Sequence, residues 1–204
     1  MIDLEPSRAS VAGSVRSGPS LIVVAAAAGG FEPMLELLGA LPPELDAAII
    51  VVPHRSPQEP YHLDRVIQRR TRWPVFWARE GDAVQRGVIY VAPHDEHLEI
   101  SPSHRFERAG EHVVQHVTSD VEPILESAAA VYGDRLVAVV LDGSSIDAHE
   151  GLLCVHAVGG HVFVQESQDF HTGTNGMSRS VADSRKVLPA EEIALAIGAL
   201  IARR

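Results

Sequence analysis

Residues 21–30, LIVVAAAAGG, carry an apolar strand-like run into a Gly-Gly turn that opens an apolar-periodic helix. A strand-to-helix turn of this kind is where many hydrolases present a catalytic serine, because it lifts one side chain above the sheet beside free helix N–H groups. The residue at that place is Ala27, which has no hydroxyl. The N–H of Ala28 remains as an oxyanion donor, since a backbone group survives the loss of a neighbouring side chain. Two further apolar runs end in polar residues: 47–52 leads into Pro53-His54, and 136–141 leads into DGSSIDAHEG, which carries Asp142 and Asp147. A histidine oriented by an aspartate and facing a hydroxyl is the chemistry of acyl transfer, and it recurs in several chain orders. The order here is nucleophile position, His, Asp. Each group also has a plainer role open to it. His54 can be a strand-end histidine bonded to a backbone carbonyl, and Asp147 can be the N-cap of a helix beginning near His149. Ser144 and Ser145 share the loop with Asp147 and offer hydroxyls, but nothing in their spacing sets them at the turn.

Other candidate groups point to less chemistry. There are 11 histidines, and His94 and His97 flank Asp95-Glu96. That spacing lacks the i, i+4 helical pair of a zincin, and no thiolate cluster supports structural zinc, so a solvated turn is expected and no metal or cofactor. Cys154 lies in a helical pattern after Gly151 and reads as a small core hydrophobe. Gly29-Gly30 lacks both the P-loop Lys-Ser/Thr and the G-x-G-x-x-G spacing of phosphate-binding loops.

The elements that must position these groups alternate along the chain. Strand-like runs at 21–25, 47–52 and 136–141 are apolar on both faces, as central parallel strands require. Shorter strands are expected at 75–78, 88–92 and 161–165, and helices at 33–41, 63–70, 123–132, 151–157 and 190–202. The runs 98–100 and 113–115 flank SPSHRFERAGE like the arms of a hairpin. The expected fold is α/β: a mostly parallel, doubly wound sheet with flanking helices and an antiparallel hairpin excursion. An open sheet of this kind keeps its ligand crevice outside the carboxyl ends of its strands, which is where Ala27, His54 and Asp147 fall. Residues 1–19, rich in Ser, Gly and Arg, read as a flexible tail or linker, and 20–204 as one domain.

Composition limits the partners. The chain has 204 residues, 46% of them apolar and 22% charged, with a formal charge of −10 from 27 acidic and 17 basic residues. Nucleic acids and anionic membranes call for a clustered positive face, so neither is an expected partner. One cysteine excludes an internal disulfide and suits a reducing compartment, so a cytoplasmic location is expected. No run approaches the ~18 apolar residues of a spanning helix.

Taken in order, these motifs resemble those of the CheB-type chemotaxis receptor methylesterases, which are protein-glutamate methylesterases and glutamine deamidases. The resemblance covers about residues 20 to 203. The family's IGASAGG turn appears as VAAAAGG, with Ala25 for a glycine and Ala27 for the serine nucleophile. Its VVQHM appears as VVPHR, which implies that His54 is the catalytic histidine. Its glycine followed by Y-[IL]-A-P is matched in GVIYVAPHDEHLEI, and its LTGMGxDGAxGL by LDGSSIDAHEGL, which implies that Asp147 is the catalytic aspartate. A G-M-P-[RK] pattern appears as GMSR, placing Met177 with Ala28 and Ser144 along the cleft. Asp142 stands for a threonine, Ser144-Ser145 for a Met-Gly pair, and HVTSD at 116–120 for a basic R-H-R-P-S stretch.

The resemblance implies a stand-alone catalytic domain without its serine and without an attached receiver domain, so that any regulation comes from another chain. Loss of the serine in a triad hydrolase costs about 10⁶-fold in rate. The expected function is therefore a catalytically impaired signalling or binding module. Its expected partner is a protein, either a chemoreceptor-like helical segment or a signalling protein held in the old cleft. The alternative is an active methylesterase or deamidase, with Ala27 an engineered change or another nucleophile in use.

Overall fold

A computed structural model of the chain describes residues 20–53, 62–93, 96–110, 121–141, 148–165 and 186–202. Strand β1 (Ser20–Ala26) passes through a 3-10 turn (Ala28–Gly30) into α1 (Phe31–Ala40), followed by β2 (Ala47–Pro53) and α2 (Leu63–Gln68). Then come β3 (Val75–Trp77), β4 (Ile89–Val91), β5 (Leu98–Ile100), β6 (Phe106–Arg108) and α3 (Glu122–Tyr132). A second 3-10 turn (Gly133–Arg135) leads to β7 (Leu136–Leu141), α4 (His149–Ala157), β8 (His161–Gln165), β9 (Lys186–Leu188) and α5 (Ala190–Ile201).

Seven strands form one sheet in the order β3-β4-β2-β1-β7-β8-β9, and every pairing in it is parallel. The order follows from the apolar runs. All residues of β1 and β7 are buried, so each needs a covered face on both sides of the sheet and a strand on both edges. From β1 the chain adds β2, then β3 at the edge and β4 between them on one side, and then crosses to β7, β8 and β9 on the other. The doubly wound arrangement expected from the sequence is thus the observed one, and its switch point lies at β1.

Helices close both faces. Met34, Leu35, Leu37 and Leu38 of α1 pack with Leu63 and Ile67 of α2 and with Ile193, Ala194 and Ile197 of α5 over one face. Ile124, Leu125, Ala128 and Tyr132 of α3, with Leu152 and Val155 of α4, cover the other. The helices stop where local chemistry stops them. Pro42 holds Leu41 in an extended conformation (φ −67°, ψ 130°), which ends α1. Pro123 sits in the first turn of α3, where its missing N–H costs nothing, and Gly133 ends the helix at φ 60°, a left-handed value that L side chains resist. α4 begins at His149, two residues before the expected start, because its first turn is polar and carries no apolar period.

The hairpin differs from expectation. Leu98–Ile100 is one arm, but the other is Phe106–Arg108, inside the segment read from the sequence as the connecting loop; 113–115 lies outside the described residues. The loop is only Ser101–Arg105. His104 takes φ 58° there and its N–H bonds to the Ser101 carbonyl at 2.9 Å. What fixes the register is Phe106, fully buried and edge-on to Tyr90 with ring centroids 5.1 Å apart. The hairpin is also tied to the chain after β3: Gly81 N–H bonds to Phe106 O at 2.7 Å, Phe106 N–H to Asp82 O at 2.9 Å and Val84 N–H to His104 O at 2.8 Å. The short β9 was not expected from the sequence at all. The proposed tail, 1–19, lies outside the described residues.

Phe106 therefore anchors the hairpin to the core, and Phe106→Ala should destabilise the chain by about 3–5 kcal/mol in urea unfolding. A loss under about 1 kcal/mol would mean that the hairpin rests on its main-chain bonds alone.

Candidate active site

The carboxyl ends of three strands lie side by side at the switch point. Ala26 is opposite Pro53 of β2 on one side and Leu141 of β7 on the other. Beyond Ala26 the chain turns at once. Ala27 is extended (φ −72°, ψ −178°), its N–H bonds to the Leu141 carbonyl at 3.1 Å, and its own carbonyl accepts the Gly30 N–H at 2.9 Å. Gly30 makes this possible: a Cβ there would stand 2.8 Å from the Leu141 oxygen, so any side chain would push α1 off β7.

Ala27 holds the N-cap position of the 3-10 turn and forms no side-chain cap bond. A helical N-terminus leaves its first N–H groups without intrahelical acceptors. Here those groups belong to Ala28 and Gly29, and together with the positive end of α1 they can hold an anionic oxygen. The turn thus sets two N–H groups at the carboxyl end of β1, and Ala27 at its head is only 3% exposed.

His54 follows Pro53 directly, and Asp142 follows Leu141, so both candidate segments leave from the strands that flank β1. His54, Asp142, Ser144, Ser145, Asp147 and Met177 themselves lie outside the described residues. One plain reading of Asp147 needs correction. The N-cap of α4 is Ala148, not Asp147, and an N–H of the first turn, that of Glu150, is served by Oε1 of Glu122 at 3.3 Å. His149 opens α4 with its Nδ1 buried and without a partner among the described residues, a feature that no motif flagged.

Cys154 packs against the core beside α3, though it is only partly buried. Burial pushes its thiol pKa up, and the carboxylates of Glu126, Glu150 and Glu122 push it the same way. Of the histidine pair, His94 is outside the described residues and His97 accepts the Ala109 N–H through its carbonyl at 2.8 Å. Among the described residues no group of three or more His, Cys, Asp or Glu could hold a metal ion, and no helix is long and apolar enough to cross a membrane.

Comparison with known proteins decides the family. Residues 22–197 match the family model described as CheB methylesterase. The chain belongs to that family. It is 28% identical over 187 residues to a protein-glutamate methylesterase/protein-glutamine glutaminase of Methanosarcina mazei, covering 86% of this chain and 50% of the relative. It is 29% identical over 200 residues to one of Burkholderia orbicola, covering 96% of this chain and 59% of the relative. The chain thus spans little more than half the length of these curated relatives. Among solved structures, the CheB methylesterase catalytic domain of Thermotoga maritima superposes with a TM-score of 0.74 at 25% identity, covering 91% of this chain and all of that one. The CheB fold is therefore the fold of this chain, hairpin included.

Two outcomes follow from the geometry. Gly30→Ala should cost roughly 1–3 kcal/mol in urea unfolding, because neither the Leu141 carbonyl nor the turn can give way without loss of the Ala27–Leu141 bond; a change within about 0.5 kcal/mol would show that the turn is loose. Cys154 should react with a disulfide reagent at pH 8 more slowly in the folded chain than in urea. The sign follows from the raised pKa. The neutral thiol is favoured in the fold, so its contribution to stability is full below the ordinary thiol range and is lost as pH rises through the raised value.

Proposed function

We propose that this chain is a CheB methylesterase-like domain that has lost ester hydrolysis and acts as a binding or signalling module through the old substrate cleft. The observation that carries this reading is Ala27. It stands at the carboxyl end of β1, on a turn whose N–H groups are set for an oxyanion, with no hydroxyl to attack. One detail supports it. The changes at Ala25, Asp142 and Ser144-Ser145 fall within the two sequence motifs that the resemblance assigns to the site, which suits drift of a site no longer selected for turnover. The cleft would take a helical chemoreceptor-like segment bearing a glutamyl or glutaminyl side chain, whose carbonyl oxygen the turn's N–H groups can hold without breaking any bond.

The test is hydrolysis of a methyl-glutamyl receptor peptide by the chain and by Ala27→Ser. The chain itself should fall about 10⁶-fold below an active relative, as loss of a triad serine does. It should still bind the peptide. If Ala27→Ser turns over and Ala27→Ser with His54→Ala does not, His54 and the crevice remain competent apart from one hydroxyl. Turnover by the unaltered chain that His54→Ala abolishes would overturn the proposal in favour of an active methylesterase with another nucleophile.

A further inference from the structure

At the β3 edge of the sheet a cavity of about 460 Å³ opens beside Phe76, Trp77 and Tyr90 and the polar groups Asp64, Asp82 and Arg79. Two strands, β4 and β2, separate β3 from β1. At about 4.8 Å per strand the cavity is roughly 14 Å from the turn at Ala27, so it is not the substrate cleft. Its volume lies within the ~300–1,000 Å³ usual for pockets that take small ligands.

The lining has a definite chemistry. Phe76 is paired with Tyr90 across β3 and β4, yet it is 57% exposed where Tyr90 is 5%. Among the described residues only Phe76, Val158 and Leu195 are large apolar side chains left this open to water, and Phe76 alone of these is aromatic and lines a cavity. Beneath it Tyr90 is immobilised: its hydroxyl donates to the Ala83 carbonyl at 2.9 Å and accepts the Gln85 N–H at 3.2 Å. Those bonds fix the segment that carries Asp82, and the hairpin clamps it from the other side through Gly81 and Val84. Asp64 enters from the first turn of α2. Among the described residues no ion pair involves Asp64 or Asp82, although Arg79 lines the same space. Arg79 is exposed, so its long side chain can stay in water and leave two carboxylates against one guanidinium at the wall.

Carboxylates without an ion pair among the described residues, beside one open aromatic ring, match one kind of ligand. A cation over a ring gains from the ring quadrupole, and N–H donors of a charged group make the stronger hydrogen bonds to carboxylates. We propose that this cavity binds the guanidinium or ammonium end of an organic cation, with Asp64 and Asp82 accepting its N–H bonds and Phe76 packing its stem. The site works independently of the crevice at β1 and needs no nucleophile.

The test is calorimetric titration of the chain with N-acetyl-arginine amide, with butylguanidine and with N-acetyl-citrulline amide, which keeps the shape and lacks the charge. Saturable one-site binding of the arginine probe, at least about tenfold tighter than the citrulline probe, is expected. The chain with Asp64→Asn and Asp82→Asn should bind the arginine probe about tenfold more weakly at an unchanged thermal midpoint, and Phe76→Ala should weaken it about threefold. Equal affinity for the two amides, no saturable binding of the arginine probe, or full affinity in the double variant would each overturn the proposal. The first two need no substitution, so a folding defect cannot mask them. Butylguanidine binding as tightly as the arginine probe supports a site that reads a free amine or guanidine. A preference for the arginine probe supports one that reads a basic side chain within a peptide.

Discussion

Everything placed at the carboxyl edge of this sheet depends on one close approach, that of the turn after β1 to the end of β7. The Ala27 N–H bonds to the Leu141 carbonyl at 3.1 Å, and Gly30 lies where any Cβ would come within 2.8 Å of the same oxygen. One carbonyl therefore fixes where β1 stops, where α1 starts and how close α1 lies to β7. Because β1 is also the switch point of the winding, the strands on its two sides send out the segments that carry His54 and Asp147. An open parallel sheet gathers loops from non-adjacent parts of the chain only at such a point.

That approach is made of main chain and of one missing Cβ. Nothing in it uses the side chain of residue 27, whose φ and ψ are ordinary extended values and whose cap position forms no side-chain bond. A serine oxygen there would add at most a cap bond, worth about 0.5–2 kcal/mol in helix N-terminal series. The fold thus tolerates alanine at this position, and the N–H groups of the turn are placed without help from its side chain. This is why a chain can superpose at a TM-score of 0.74 on a CheB catalytic domain while its own chemistry has to be argued from a single residue.

What could be read from the amino acids followed the strength of the burial pattern. β1, β2 and β7 are long and apolar on both faces, so their runs stood out and their ends were placed within one residue. β6 has one apolar residue, Phe106, followed by Glu107 and Arg108, and looked like loop until its pairing with β5 and its contact with Tyr90 were visible. β9 is three residues at the sheet edge, too short for any period. At the site, the turn and Ala27 at its head were legible because a strand-Gly-Gly-helix pattern is local. The closeness of Gly30 to Leu141 was not, since it joins residues more than a hundred positions apart. The capping of α4 by Glu122 escaped for the same reason, as cross-helix partners leave no local trace.

The β3 edge shows the same division between local pattern and long-range placement. Val75, Phe76 and Trp77 read simply as a short apolar strand; only the register with β4 sets Phe76 beside Tyr90, and the hairpin and the Tyr90 hydroxyl together hold the segment that carries Asp82. The start of the strand is sealed: Gln68 of α2 accepts the Val75 N–H at 3.0 Å and donates to the Trp73 carbonyl at 2.9 Å. An edge strand protected at one end by an amide, yet left with an open aromatic ring at its middle, is not simply guarding against another strand. Its walls are held by β6 and Tyr90 rather than by the turn at Ala27.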